Sequence, residues 1–266
     1  MIKDPCINPD IALRIAAELA MIEQQEQVRI LLAVESGSRA WRFPSRDSDY
    51  DVRFLYVRPV TDYLTITKRR DVIERPVDAV FDINGWDVSK ALALALRSNA
   101  VLLEWLDSPV RYHALPDWPA RILAFAQEAA SPRALAHHYA SLGQRSLKEI
   151  EISVEVKLKT ICYALRAALA LQWVQIHKIP PPMTLPALLA GLVVHDAVRE
   201  EIARLVAHKT NTTEQDTVAP SEKLRQFLGK TLRLLPGLAE TCLPDGISAQ
   251  GDRLFQEMIY GINACA

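Results

Sequence analysis

The stretch Ser36-Gly37-Ser38-Arg39-Ala40-Trp41 is followed at short range by Asp47-Ser48-Asp49-Tyr50-Asp51-Val52-Arg53-Phe54-Leu55-Tyr56-Val57. The first segment is a small, glycine-containing turn. The second is an apolar strand whose charged residues alternate. Ahead of both, Val28 to Val34 is a continuous apolar run that reads as a buried strand. Ser36 to Phe43 then reads as a turn into a short helix, and Pro44 to Ser48 as a loop. Along Tyr50 to Val57, Val52, Phe54 and Tyr56 share one face, and Asp51, Arg53 and Leu55 the other. Strand, glycine turn, helix and acid-headed strand in this order indicate an α/β arrangement.

The same stretch suggests chemistry on phosphate. Gly37 lets backbone approach an anion with no Cβ in the way. N–H groups at a helix start favour negative charge, and Ser36 and Ser38 add hydroxyl donors. Arg39 is a nearby cation. Asp49 and Asp51 are two residues apart, so they return to one strand face with Cα atoms roughly 6–7 Å apart. Their carboxylates can then converge on Mg²⁺, which takes oxygen ligands and shares them with substrate phosphates; paired metal ions sit about 3.5–4 Å apart. Asp82 is the choice for a third carboxylate from a neighbouring strand, with Asp78 on the same face as competitor. Arg53 reads either as a phosphate contact or as a structural partner for Asp51. The series Asp47, Asp49, Asp51 opens like a calcium loop, but that loop needs glycine at its sixth position and glutamate at its twelfth, where Val52 and Arg58 stand.

Outward from this centre, apolar spacing predicts a helix over about 9–26. Val77 to Ile83 reads as a third strand, Asn84-Gly85 as a turn, and Asp87 as the N-cap of a helix through Arg97. A further helix covers Ala100 to Leu106. Beyond Pro116 alternation ceases, and helices are expected at about 118–129, 133–151, 154–177, 184–206, 221–233 and 248–262. The fold class is therefore α+β: a small mixed sheet with helices over residues 1–112, then an all-helical domain over 113–266.

The 266 residues allow a sizeable core, and the net charge of −1 gives no global field to attract nucleic acid. Four scattered cysteines without a CxxC pair argue against a zinc site or a disulfide framework. The start lacks a signal peptide's apolar core, and Ala91 to Leu96 is too short to span a bilayer. These features predict a soluble cytoplasmic protein with no membrane partner.

The stretch resembles the signature of the DNA polymerase β-like nucleotidyltransferase superfamily, in which Gly-Ser precedes an Asp-x-Asp pair and a later carboxylate. More narrowly, Glu35 to Trp41, Asp47 to Arg53, Gly85-Trp86-Asp87 with Lys90, and Glu104-Trp105-Leu106 with Ser108-Pro109 resemble nucleotidyltransferases associated with RNA repair and RNA ligase. So does Lys157-Leu158-Lys159 through Tyr163-Ala164-Leu165-Arg166 to Trp173 and Pro181-Pro182-Met183. The resemblance implies transfer of a nucleoside monophosphate from a nucleoside triphosphate with pyrophosphate release. Mg²⁺ is the implied metal, in a two-ion site, with Mn²⁺ as the alternative. On that pattern Asp49, Asp51 and Asp82 are catalytic and metal-binding, and Gly37 and Ser38 bind phosphate. Two departures stand out. Arg42 replaces the glycine that the family places after the tryptophan, costing roughly 1 kcal/mol if φ must be positive there. Ala100 replaces a proline after Asn99, which predicts a looser turn.

Four further positions bear on the nucleotide. Lys159, Tyr163 and Arg166 fall at i, i+4 and i+7. They form either a strip binding triphosphate or base, or a solvated helix face with one semi-buried tyrosine. Lys90 follows the Asp82 strand and either reaches phosphate or remains a surface charge. The acceptor implied by the resemblance is an RNA 3′ end. The rival readings are a non-catalytic nucleotide-sensing or RNA-binding module, and an adenylyltransferase acting on a small molecule or a protein.

Overall fold

A computed structural model describes residues 7–76, 80–233, 237–239 and 241–263. Asp78 and the first residues of the expected third strand, Val77 to Ala79, lie outside the described residues. The fold is mixed α+β, as expected, and its chain forms two compact units that are each discontinuous in sequence. The first unit contains the chain to Ala40, Asp49–Ala129 and the chain from Leu243. The second contains Trp41–Ser48 and Ala130–Cys242.

In the first unit, α1 (Pro9–Glu26) begins where the Asn8 side chain accepts the Asp10 N–H and Pro9 supplies a preset φ. It is followed by β1 (Arg29–Glu35), α2 (Gly37–Ala40) and β2 (Tyr50–Val57). Next come α3 (Val60–Tyr63), β3 (Val72–Glu74), β4 (Phe81–Asp87), α4 (Val88–Ala95), α5 (Ala100–Leu106), β5 (Arg111–Ala114) and α6 (Trp118–Glu128). The sheet order is β3-β4-β2-β1-β5, in which β2 and β4 are parallel and the other pairs antiparallel. The central position of β1 explains its unbroken apolar run, because six of its seven residues are buried. One sheet face packs Val52, Phe54, Tyr56 and Ile83 with Ile15, Leu19 and Ile22 of α1. Burying several such side chains, at about 1.5–3 kcal/mol each, is what holds the sheet to the helix. The opposite face carries Asp51, Arg53 and Leu55.

In the second unit, α7 (Pro132–Ile152) is capped by Ser131. Then follow β6 (Val156–Lys157), α8 (Leu158–His177), α9 (Leu185–Ala190), α10 (Asp196–Thr210), β7 (Thr217–Val218) and α11 (Glu222–Arg233). Twelve of the twenty residues of α8 are buried, so this helix is the unit's core element. The chain then returns to the first unit as α12 (Ile247–Asn263).

Several local expectations change. Asn84-Gly85 is not a turn; both residues lie inside β4. Glycine stands there because the Phe54 ring crosses it, and a Cβ at Gly85 would meet Phe54 Cε2 at 2.2 Å. Asp82 therefore lies at the start of its strand, not near its end. The expected helix over 154–177 begins only at Leu158, since Val156 and Lys157 pair with Val218 and Thr217. The expected helix over 184–206 is two helices, each with its own cap: Thr184 Oγ1 for the first and His195 Nδ1 for the second. After Asn99 the chain enters α5 directly, with the Asn99 side chain as its N-cap accepting the Leu102 N–H at 2.9 Å. Arg42 has φ 73°, the left-handed conformation that the replaced glycine suggested.

Candidate active site

Parallel pairing sets Asp51 directly opposite Asp82. Directly opposed residues in neighbouring strands point the same way, so both carboxylates stand on one sheet face at the head of β2 and β4. Arg53, two residues along β2, lies on that face and bridges them. Its Nη2 is 2.9 Å from Asp51 Oδ1 and 2.6 Å from Asp82 Oδ2. Its Nη1 donates to the Asp82 carbonyl at 2.6 Å and the Val52 carbonyl at 3.1 Å. The Arg53 side chain is only 13% exposed, so these are partly desolvated, charge-assisted contacts.

The glycine turn abuts the same acid. Gly37 has φ 63°, and a Cβ there would lie 2.2 Å from Asp51 Oδ2. The Ser36 N–H donates to the Asp51 carbonyl at 2.8 Å. Ser38 is buried in α2. Arg39 donates from Nε to the Asp49 carbonyl at 3.1 Å and lies over the Tyr50 ring at 3.8 Å. Turn and acidic strand are thus one hydrogen-bonded assembly. Asp49 precedes β2 and is exposed.

Among the described residues, no three His, Cys, Asp or Glu side chains are grouped to hold a metal ion by themselves. The expected Asp49–Asp51–Asp82 triad is present as an adjacent pair, Asp51 and Asp82, with an exposed neighbour. The chemistry of the pair still fits Mg²⁺, which takes one or two carboxylates and completes its shell from phosphates and water. The missing Cβ at Gly37 keeps side-chain bulk off Asp51 Oδ2.

Sequence reading missed Glu35 as a site residue. This residue ends β1 fully buried, and one carboxylate oxygen accepts the Asp51 N–H at 3.1 Å. The other accepts the Tyr112 hydroxyl. Burial pushes the Glu35 carboxyl up to about 8, against the opposing pull of the Tyr112 and Asp51 N–H hydrogen bonds. Burial and the Glu35 charge also raise the Tyr112 phenol. The signal was an acid closing an apolar strand, where an unsatisfied charge would be costly.

Lys90 stands beyond the far end of β4 from Asp82, about 16 Å along the strand from its opening residues. There its Nζ pairs with Asp71 at 3.0 Å. That end also holds Asp87, whose carboxyl is raised by burial and which accepts from Ser89 N–H and Tyr63 Oη.

Of the Lys159, Tyr163 and Arg166 strip, Arg166 is buried within the second unit, whereas Lys159 and Tyr163 are part-exposed. Lys159 Nζ is 2.8 Å from Glu214 Oε2. Tyr163 meets Trp41 edge-on at 4.9 Å. Arg166 is 2% exposed, stacks 4.7 Å from the Trp41 ring and donates to the Met183 carbonyl. Both oxygens of Asp47 accept the Glu214 N–H, at 2.9 and 3.2 Å.

No helix among the described residues is long and apolar enough to cross a membrane. A protein of Bacillus subtilis (strain 168), YcgL, described as uncharacterized, is 41% identical over 215 residues, or 81% of this chain and 83% of that protein. Residues 11–244 match the family model described as the RNA repair pathway DNA polymerase beta family. That match spans the glycine turn, the Asp51–Arg53–Asp82 bridge and most of the helical second unit, and the chain belongs to this family.

Proposed function

We propose that this protein transfers a nucleoside monophosphate from a nucleoside triphosphate to an acceptor hydroxyl, releasing pyrophosphate, with an RNA 3′ end as the acceptor class. The observation that carries the reading is the contact of Gly37 with the Asp51 carboxylate, beside Asp82 on the adjacent parallel strand. A phosphate-accommodating turn and a carboxylate pair then meet at one place. Asp51 and Asp82 would hold Mg²⁺, with Asp49 as a further ligand. When bound, Mg²⁺ supplies charge neutralisation on the triphosphate and polarisation of its α-phosphate. The Ser36–Ser38 turn would orient the phosphates, and Asp82 would receive the acceptor's proton. Association with RNA repair supports an RNA acceptor.

The test is incubation of the purified protein with labelled nucleoside triphosphates, Mg²⁺ and total RNA, with protein extract and metabolites as rival acceptors. Labelled RNA with stoichiometric pyrophosphate, lost in Asp51→Asn, is the expected result. No product with any acceptor and no Mg-nucleotide binding would overturn the reading. Nucleotide binding without transfer would support the nucleotide-sensing alternative, which the Arg53 bridge across the carboxylates favours.

A further inference from the structure

We propose that Arg53 and a divalent cation are antagonists for the Asp51–Asp82 pair: Arg53 is a positioning residue that holds the two carboxylates together and lowers their affinity for metal. The inference rests on the metal-binding reading above. Asp51 and Asp82 are adjacent acids on parallel strands, and such like charges need a counter-charge to stay together. Arg53 supplies it from within the same strand. One nitrogen takes Asp51 Oδ1 and Asp82 Oδ2, while the other is tethered to the Val52 and Asp82 carbonyls.

A cation ligated by both acids needs oxygens from each. If it takes Asp51 Oδ1 and Asp82 Oδ2, it replaces the guanidinium. If it takes Asp51 Oδ2, beside Gly37, it lies next to a fixed positive charge in a partly desolvated site. Both arrangements oppose metal binding. A guanidinium that only prevented the carboxylates from splaying would have the reverse effect. The sign of the change on its removal therefore separates the two roles.

The experiment uses the full chain without nucleotide and Mn²⁺ as the probe, read by electron paramagnetic resonance or calorimetry. Arg53→Gln removes the charge but keeps a polar, hydrogen-bonding side chain. It should bind Mn²⁺ roughly tenfold more tightly than wild type, the scale on which one nearby charge shifts an ionic equilibrium. Arg53→Lys keeps the charge and should stay within about threefold of wild type. Unchanged or weaker binding by a folded Arg53→Gln would overturn the proposal while leaving the metal-binding reading intact. Absence of Mn²⁺ binding in both wild type and Arg53→Gln at millimolar concentrations would remove both. If Arg53→Gln does not fold, the guanidinium signals of wild-type Arg53 decide the matter: Mg²⁺ should speed their rotation and solvent exchange, and unaltered signals would overturn the proposal.

Discussion

The Glu35 carboxylate accepts the Asp51 N–H at 3.1 Å, joining the buried acid that ends β1 to the acid at the head of β2. Because burial raises Glu35 from 4.5 to about 8, the folded chain binds more protons than the unfolded chain between those values. The contribution is therefore fully present below the unfolded value and is lost as pH rises through about 8. Urea denaturation of wild type should show stability falling across this window relative to Glu35→Gln, which cannot ionise. Parallel curves for the two proteins would contradict the assignment.

Gly37→Ala should separate stability from binding. The positive φ costs a side chain about 1–2 kcal/mol. A melting temperature lowered by a few degrees is the expected reading. The new methyl would also force the Asp51 carboxylate aside. Calorimetry should then show Mg-nucleotide binding reduced by more than about tenfold, beyond what loss of folded protein explains.

Asp47 and Asp51 should behave as different kinds of acid despite their shared motif. Asp47→Ala removes the two contacts to the Glu214 N–H. That change should cost about 1 kcal/mol of stability and leave Mn²⁺ binding in place. Asp51→Asn should abolish Mn²⁺ binding, and an equal loss in both variants would refute the distinction.

Lys209 is a buried amine whose Nζ lies 3.4 Å from Ser45 Oγ and 5.8 Å from the Phe43 ring centroid. Burial lowers its pKa below 10.5, so the folded chain releases this proton first. Wild-type stability should rise with pH through the interval between the lowered value and 10.5, and fall back as pH drops. Lys209→Met fills similar volume without the charge. It should lack that slope and be more stable near neutral pH by about 1 kcal/mol. Denaturation midpoints at neutral and alkaline pH check both statements.

The most legible parts of the sequence were those with one dominant signal. The apolar spacing of α1, the unbroken apolar run of β1 and the alternation of β2 from Tyr50 to Phe54 each gave element and orientation together. Alternation put Asp51 and Asp82 each on a strand, while their register opposite one another came only from the parallel pairing of β2 with β4. What was hidden depended on contacts remote in sequence. Asn84-Gly85 has turn composition, and only the Phe54 ring reveals why glycine is needed in a strand. β3 and β5 are short edge strands of three and four residues, too brief for periodicity to register. Arg166 reads as a surface cation until Trp41, distant in sequence, covers it. Glu35 was quoted within the motif, yet its role depends on Tyr112, seventy-seven positions later.

Residues 41–48 belong to the second unit although they separate the glycine turn from the acidic strand of the first. The Arg46 N–H donates to the Thr212 carbonyl, and Asp47 holds the Glu214 N–H. A short internal detour of this kind means that neither half can be cut out as one uninterrupted gene fragment. Domain shuffling by simple end-to-end fusion would therefore part residues 41–48 from the unit they fold with.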